Sequence, residues 1–231
     1  MRRSWWKPTA VVPTLAIPLT ATPLAVTLMA VALLAVPGPA SAVTGAPNLI
    51  KNPGAESGPG SGTGGTVAVP DWTVPSGGTF TAVKYGTPGG FLTLSEPGPQ
   101  QRGTNFFAGG PASSAARADQ TISLAGYAGI IASGATYHLS AWLGGYAGQD
   151  DNTTVTIAWE KASGAFLGAT MIGPVSAADR DNKTELLYRG KRGPVPHGTA
   201  KAVVNVEMTR SAGSYNDGYA DNLSLTIMPR S

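Results

Sequence analysis

The sequence predicts an all-β domain, folded as a two-sheet antiparallel β-sandwich of the jelly-roll kind. Three observations predict it. Apolar and polar residues alternate with a period of two in several short runs, the mark of strands with one buried face. Gly- and Pro-rich stretches separate these runs at close intervals. After the apolar leader, no helical pattern extends beyond a turn or two. About ten short strands with turn punctuation and no long helix call for a sandwich or a barrel.

The elements follow in order. Asn48-Leu49-Ile50-Lys51 reads as a short strand, and Asn52-Pro53-Gly54-Ala55-Glu56 turns the chain sharply. Residues 57–65 form a loop. Their Gly60, Gly62 and Gly65 match G-x-G-x-x-G, but no helix follows whose N-terminus would face a phosphate. Strands are expected over 66–69, 72–74, 79–85, 91–94 and 105–108, with Asn105-Phe106-Phe107 read as core. Residues 117–124 alternate as a strand; 125–133 make a brief helical turn that drops Ile130 and Ile131 into the core. Tyr137, Leu139, Ala141 and Leu143 share one face of a strong strand, with His138, Ser140 and Trp142 on the other. Further strands follow over 154–159, 166–172, 185–188 and 201–209. Arg189, Lys191 and Arg192, among Gly190, Gly193 and Pro194, read as a solvated turn. The last strand alternates Leu223, Leu225 and Ile227 against Asn222, Ser224 and Thr226, after a polar loop from Ser214 to Tyr219.

Residues 1–42 read as a secretory signal, and 43–231 as one domain. Arg2, Arg3 and Lys7 precede an apolar run that ends in Ala40-Ser41-Ala42, a small-x-small cleavage pattern. Pro13, Pro18 and Pro23 interrupt that run, so no stable membrane anchor is expected after cleavage. Arg2-Arg3-Ser4-Trp5-Trp6-Lys7 also approaches a twin-arginine signal, but only Met1 precedes the arginines, so general secretion is favoured. The expected location is extracellular. Of the 16 basic residues three lie in the leader, leaving 13 to balance 13 acids, so the domain is neutral and gives no electrostatic footprint for nucleic acid. There is no cysteine, which excludes disulfides, thiolate-bound zinc and thiol catalysis. The domain must rely on its core, a bound metal, or both.

Asp221 stands where a polar loop enters a core strand. Such an acid either bonds the loop backbone or contributes oxygen to a hard cation such as calcium. No G-x-S-x-G, H-E-x-x-H or P-loop is present, and His138 and His197 offer no nucleophile–base pair. A glycan-active hydrolase would need two carboxylates flanking one bond, supplied from distant positions; Glu160, Glu185 and Glu207 are acids that could provide one.

Asn48-Leu49-Ile50-Lys51-Asn52-Pro53-Gly54-Ala55-Glu56, followed by Pro70-Asp71-Trp72, resembles the opening of calcium-containing jelly-roll carbohydrate-binding modules with the galactose-binding-like fold. Tyr137-His138-Leu139-Ser140-Ala141-Trp142 is similar to their central strand, and Tyr219-Ala220-Asp221-Asn222-Leu223-Ser224-Leu225 to their closing strand. The resemblance implies a structural calcium held by Glu56 and Asp221, clasping the two ends of the domain. It also implies a polysaccharide or other glycan as partner, bound on a sheet face or on edge loops, where rings stack on sugars and amides and acids bond hydroxyls. The sheet-face candidates are Trp142 and His138. The loop candidates are Tyr146, Gln149, Asp150 and Asp151 in one segment and Tyr215, Asn216, Asp217 and Tyr219 in the other; they lie outside the family pattern and mark either a ligand of this chain's own or a second cation site. The function expected is non-catalytic carbohydrate binding. A surface structural or adhesion protein with the same fold, or a hydrolase, are the alternatives.

Overall fold

The computed structural model describes residues 46–230; the leader and its cleavage site lie outside the described residues. Nine strands, β1 (Thr81–Lys84), β2 (Asn105–Pro111), β3 (Ala115–Ser123), β4 (Ala135–Gly145), β5 (Asn152–Glu160), β6 (Phe166–Ile172), β7 (Glu185–Pro194), β8 (Lys201–Thr209) and β9 (Tyr215–Pro229), are accompanied by one short helix, α1 (Ala128–Ser133). They form a five-stranded sheet in the order β1-β2-β9-β4-β7 and a four-stranded sheet in the order β3-β8-β5-β6. All the pairings between named strands are antiparallel. This is the predicted all-β sandwich.

The period-two pattern does what it should. Tyr137, Leu139, Ala141 and Leu143 of β4 meet Val155, Ile157 and Trp159 of β5 and Val204, Val206 and Met208 of β8 in the main core. In α1, Ile131 is buried and Ile130 packs beside it. Residues 48–53 run along the second half of β9: Leu49 N–H donates to Leu225 O (2.8 Å) and Leu223 N–H to Pro53 O (2.9 Å). The Asn48 side chain extends the pairing, accepting from Leu225 N–H and donating to Leu223 O. The two ends of the described chain therefore lie side by side. Trp72 indole N–H donates to Asn52 O, and the Asn52 amide to Pro70 O, which ties the opening turn to the Pro-Asp-Trp motif.

The structure corrects several expected boundaries. Residues 66–69 are not a strand, since Val67 N–H finds the Thr81 hydroxyl instead of a ladder carbonyl. In 72–74 only Thr73 bridges, to Asp119; Pro70 and Pro75 bring no N–H to extend the pairing. Residues 91–94 belong to a long excursion, 85–104, that lays Phe91 and Leu92 on the outer face of the five-stranded sheet. The basic run is not a turn: β7 continues through Arg189, Lys191 and Arg192 to Pro194, paired with β4. Gly190 and Gly193 belong there because the rings of Tyr188 and Tyr137 lie across them, with the hydroxyls 3.0 and 2.8 Å from where a Cβ would stand. Ser214–Tyr219 is not a free loop either. β9 begins at Tyr215 and pairs with β2 and β4, and at Gly218 a Cβ would meet Asn152 O at 2.5 Å.

Candidate functional site

The outer face of the five-stranded sheet is divided in two. Over β1, β2 and the start of β9, the 85–104 excursion closes it. Leu92 joins Val83, Phe106, Ala108, Leu186 and Tyr219 in a second core, and Leu186 N–H donates to Pro97 O. Beyond the excursion the face stays open, and the register places its residues in rows. Trp142 stands opposite Tyr188, Ser140 between Gly190 and Ser224, and His138 between Arg192 and Thr226. The Trp142 and Tyr188 rings meet edge to face with centroids 5.9 Å apart. Tyr188 is 49% exposed, and its hydroxyl lies 3.3 Å from His138 Nε2. Burial, and then the Arg192 charge, hold the His138 pKa below its usual value. Two rings and an imidazole thus stand on a floor of Ser140, Gly190 and Ser224, low enough for a flat ligand to rest against the rings. Of these, sequence reasoning singled out Trp142 and His138 but missed Tyr188. Extending the alternation of 185–188 through Gly190 to Arg192 would have found it.

The second region gathers both predicted loop segments. Tyr146 and Gln149 from the β4–β5 turn face Tyr215 and Asp217 from β9, with Phe91 from the excursion, around a cleft of about 390 Å³. Phe91 and Tyr215 meet edge to face at 5.0 Å. Gly64 and Gly90 let backbone come close to these rings. A Cβ on either would fall 2.6 Å from a ring carbon of Phe91 or Tyr146, and both glycines have positive φ.

Four of the predicted loop residues do not line the cleft, and three of them are buried and engaged in building it. Asp151 is fully buried: Oδ1 accepts from Ser211 N–H, the Ser211 hydroxyl and Ala212 N–H, and Oδ2 from Asp217 N–H. Asn216, also fully buried, donates to Met208 O and accepts from Gly218 N–H. Tyr219 lies in the second core and donates its hydroxyl to Asp217 Oδ1 at 2.5 Å. Asp150 is exposed and accepts from Ala177 N–H, so it points away from Asp151 and shares no ligand with it. Sequence reasoning missed Arg180 altogether. Its guanidinium is fully buried and donates to the carbonyls of Gly145, Ala147, Gln149 and Lys183, which sets the shape of the turn carrying Tyr146 and Gln149.

Asp217 is 9% exposed. Burial, relieved in part by the Tyr219 hydroxyl and reinforced by the Asp151 charge, raises its pKa to about 6. Two polar atoms of the cleft residues, Gln149 Oε1 and the Tyr215 hydroxyl oxygen, are buried without a hydrogen-bond partner.

Glu56 and Asp221 come together at the junction of the chain ends. A Cβ on Gly54 would stand 3.0 Å from Asp221 Oδ1 and 3.9 Å from Glu56 Cγ. The Glu56 carboxylate accepts from Thr104 N–H, the Thr104 hydroxyl and Asn105 N–H. Asp221 is fully buried and accepts from the Tyr85 hydroxyl (2.7 Å) and Asn222 N–H (2.7 Å). Burial raises its pKa to about 7, offset by those two hydrogen bonds, and the Glu56 charge pushes the same way as burial. Among the described residues no group of three or more His, Cys, Asp or Glu stands together. A cation here would have two carboxylates and otherwise neutral oxygens. That donor set suits calcium rather than zinc, and each carboxylate keeps lone pairs beyond those its donors occupy.

No protein-family model and no curated protein matches the chain. Among solved structures it is similar to one described as "Family 16 Carbohydrate Binding Module-2", with 19% identity over 78% of this chain and 99% of that one and a TM-score of 0.47. It is similar also to TmCBM61 in complex with β-1,4-galactotriose, with 14% identity over 80% of this chain and 100% of that one and a TM-score of 0.44. A third is the enzymatically active domain of bacteriophage CBA120 tailspike protein 4, at 18% identity and a TM-score of 0.45. There the match covers 78% of this chain but spans only 21% of the tailspike chain.

Proposed function

We propose that the protein is an exported, non-catalytic carbohydrate-binding protein that holds a polysaccharide on the open half of the outer sheet face. The observation that carries this reading is the Trp142–Tyr188 pair beside His138 on a floor of small residues, with Tyr188 half-exposed and Trp142 partly buried against the second core. An exposed tyrosine edge to face with a partly exposed tryptophan, at the border of the half of the sheet that the excursion seals, offers a stacking surface for a pyranose ring. His138 and the serines supply hydrogen bonds to hydroxyls. In the same reading, Glu56 and Asp221 hold a calcium ion that clasps the chain ends, a structural role in a domain without disulfides. The motif resemblance of the two ends supports it.

The test is a panel of immobilised soluble and insoluble polysaccharides with the intact protein, Trp142→Ala and Tyr188→Ala. Binding to at least one neutral glycan is expected, weakened roughly tenfold or more by either variant. A flat response across the panel overturns the reading and favours a structural or adhesion role. Release of reducing ends would revive the hydrolase. The acid pair adjacent in sequence does not support that chemistry, since Asp151 is wholly engaged by backbone and hydroxyl donors while Asp150 faces away.

A further inference from the structure

We infer that the cleft between the β4–β5 turn and the start of β9 is a second binding site, separate from the sheet face, for a ligand carrying a positively charged ammonium group. Four observations converge on it.

The first is the lining. Phe91, Tyr146 and Tyr215 bring three aromatic rings to one cleft, and no Lys, Arg or His side chain lines it. Ring faces attract cations, and they do so most where water is excluded. The second is Asp217, nine-tenths buried at the cleft, with Oδ1 engaged by Tyr219 and Oδ2 left for a ligand. The groups acting on this acid are its burial, the Tyr219 hydroxyl and a second acid, Asp151. A bound cation would supply the compensating charge that this environment withholds. The third is the pair of buried polar atoms without partners, Gln149 Oε1 and the Tyr215 hydroxyl. Gln149 Oε1 and Asp217 Oδ2 only accept, so together they ask for a ligand rich in N–H donors. The fourth is size. About 390 Å³ falls at the small end of the range for small-molecule sites, room for a compact unit rather than a long chain segment. A metal ion is a poorer match, because aromatic carbon takes up lining that oxygen ligands would need.

An ammonium group of this kind has two sources, the free amine of an amino-sugar unit and the quaternary head of a choline-type group. Binding of the full domain is measured by calorimetry with a glucosamine oligomer, its N-acetylated counterpart and choline, each in the Trp142→Ala background so that the sheet face does not contribute. The glucosamine oligomer is expected to bind roughly tenfold or more tightly than the N-acetylated one. Competition by choline identifies the ammonium head alone as sufficient; glucosamine binding without it assigns the amino sugar. Asp217→Asn keeps the acceptor for Tyr219 and is expected to abolish the preference for the amine. If that variant fails to fold, Tyr146→Leu, which removes one ring at the rim, is expected to weaken glucosamine binding by a similar factor. Equal binding of the two oligomers, or none of either ammonium probe, overturns the inference. A flat neutral-glycan panel alongside glucosamine binding would remove the sheet-face reading and leave this one standing.

Discussion

The open sheet face and the loop cleft are built from the same strands by opposite means. On the sheet face, regular pleating does the work: every second residue of β4 and β7 points outward, and register alone brings Trp142, Tyr188 and His138 together. In the cleft, irregular backbone is held by buried polar groups, with Asp151 gathering one segment and Arg180 the other. A face built by pleating needs little support and tolerates change in any one residue. A cleft built by buried polar groups collapses when one of them is removed, because the donors left behind remain out of water without partners.

That contrast is sharpest at Asp151. Asp151→Ala strands three backbone N–H groups and is expected to cost on the order of 3 kcal/mol in urea unfolding. In conditions where the variant is still folded, it should lose ammonium binding in the cleft while keeping glycan binding on the sheet face. Loss of both together would show that the two regions are not independent. Next in size is removal of the metal. For protein with calcium at about 100 times its dissociation constant, a chelator is expected to remove about 2.7 kcal/mol of stability and lower the melting temperature. An unchanged melt, starting from metal-loaded protein, would eliminate the calcium clasp.

A smaller effect isolates the sheet face. Gly190→Val lifts the Tyr188 ring from the position it occupies across the glycine and is expected to weaken glycan binding roughly tenfold, with stability within about 0.5 kcal/mol of the parent. If affinity is untouched, the Tyr188 ring is not part of the ligand surface. The smallest effect is one of pH on the cleft. Because the Asp217 pKa is raised to about 6, the group's contribution to stability is fully present below the ordinary aspartate value and is lost as pH rises through about 6. Binding of a permanent cation runs the other way. It requires the ionised carboxylate, so choline affinity is expected to fall roughly tenfold between pH 7.5 and 5. The other charged or titratable groups near Asp217 are Tyr215 and Tyr219, both raised by burial and neutral throughout, Asp151, and the buried Arg180. A choline affinity flat across that interval would disconnect Asp217 from the site.

Much of this arrangement was legible in the chain. Alternation located β3, β4, β5, β8 and the second half of β9, and the acid at the start of that half stood at the junction where Asp221 sits. Composition drew attention to both loop segments, and four of their residues, Tyr146, Gln149, Tyr215 and Asp217, do face one another. What misled was polar composition inside the sheet. Tyr215 to Tyr219 reads as a loop because Asn, Asp and Gly are poor strand residues, yet here Asn216, Asp217 and Gly218 are buried with partners supplied by distant segments. The basic run of β7 misled for a related reason, since its glycines answer to rings lying across them rather than to a turn.

Sequence by itself determined the fold class and the facing of each strong strand, because period and local turn chemistry act between near neighbours; the approach of Glu56 and Asp221 was implied only by the resemblance of the two chain ends to a family of binding modules. Tertiary structure alone decided which polar residues support and which present. Asp150 and Asp151 are adjacent and chemically identical, yet one is exposed and the other accepts four hydrogen bonds in the interior. The difference lies in what the 211–217 segment, which follows the β5 partner β8, brings to Asp151, and burial converts that proximity into a fixed structural role.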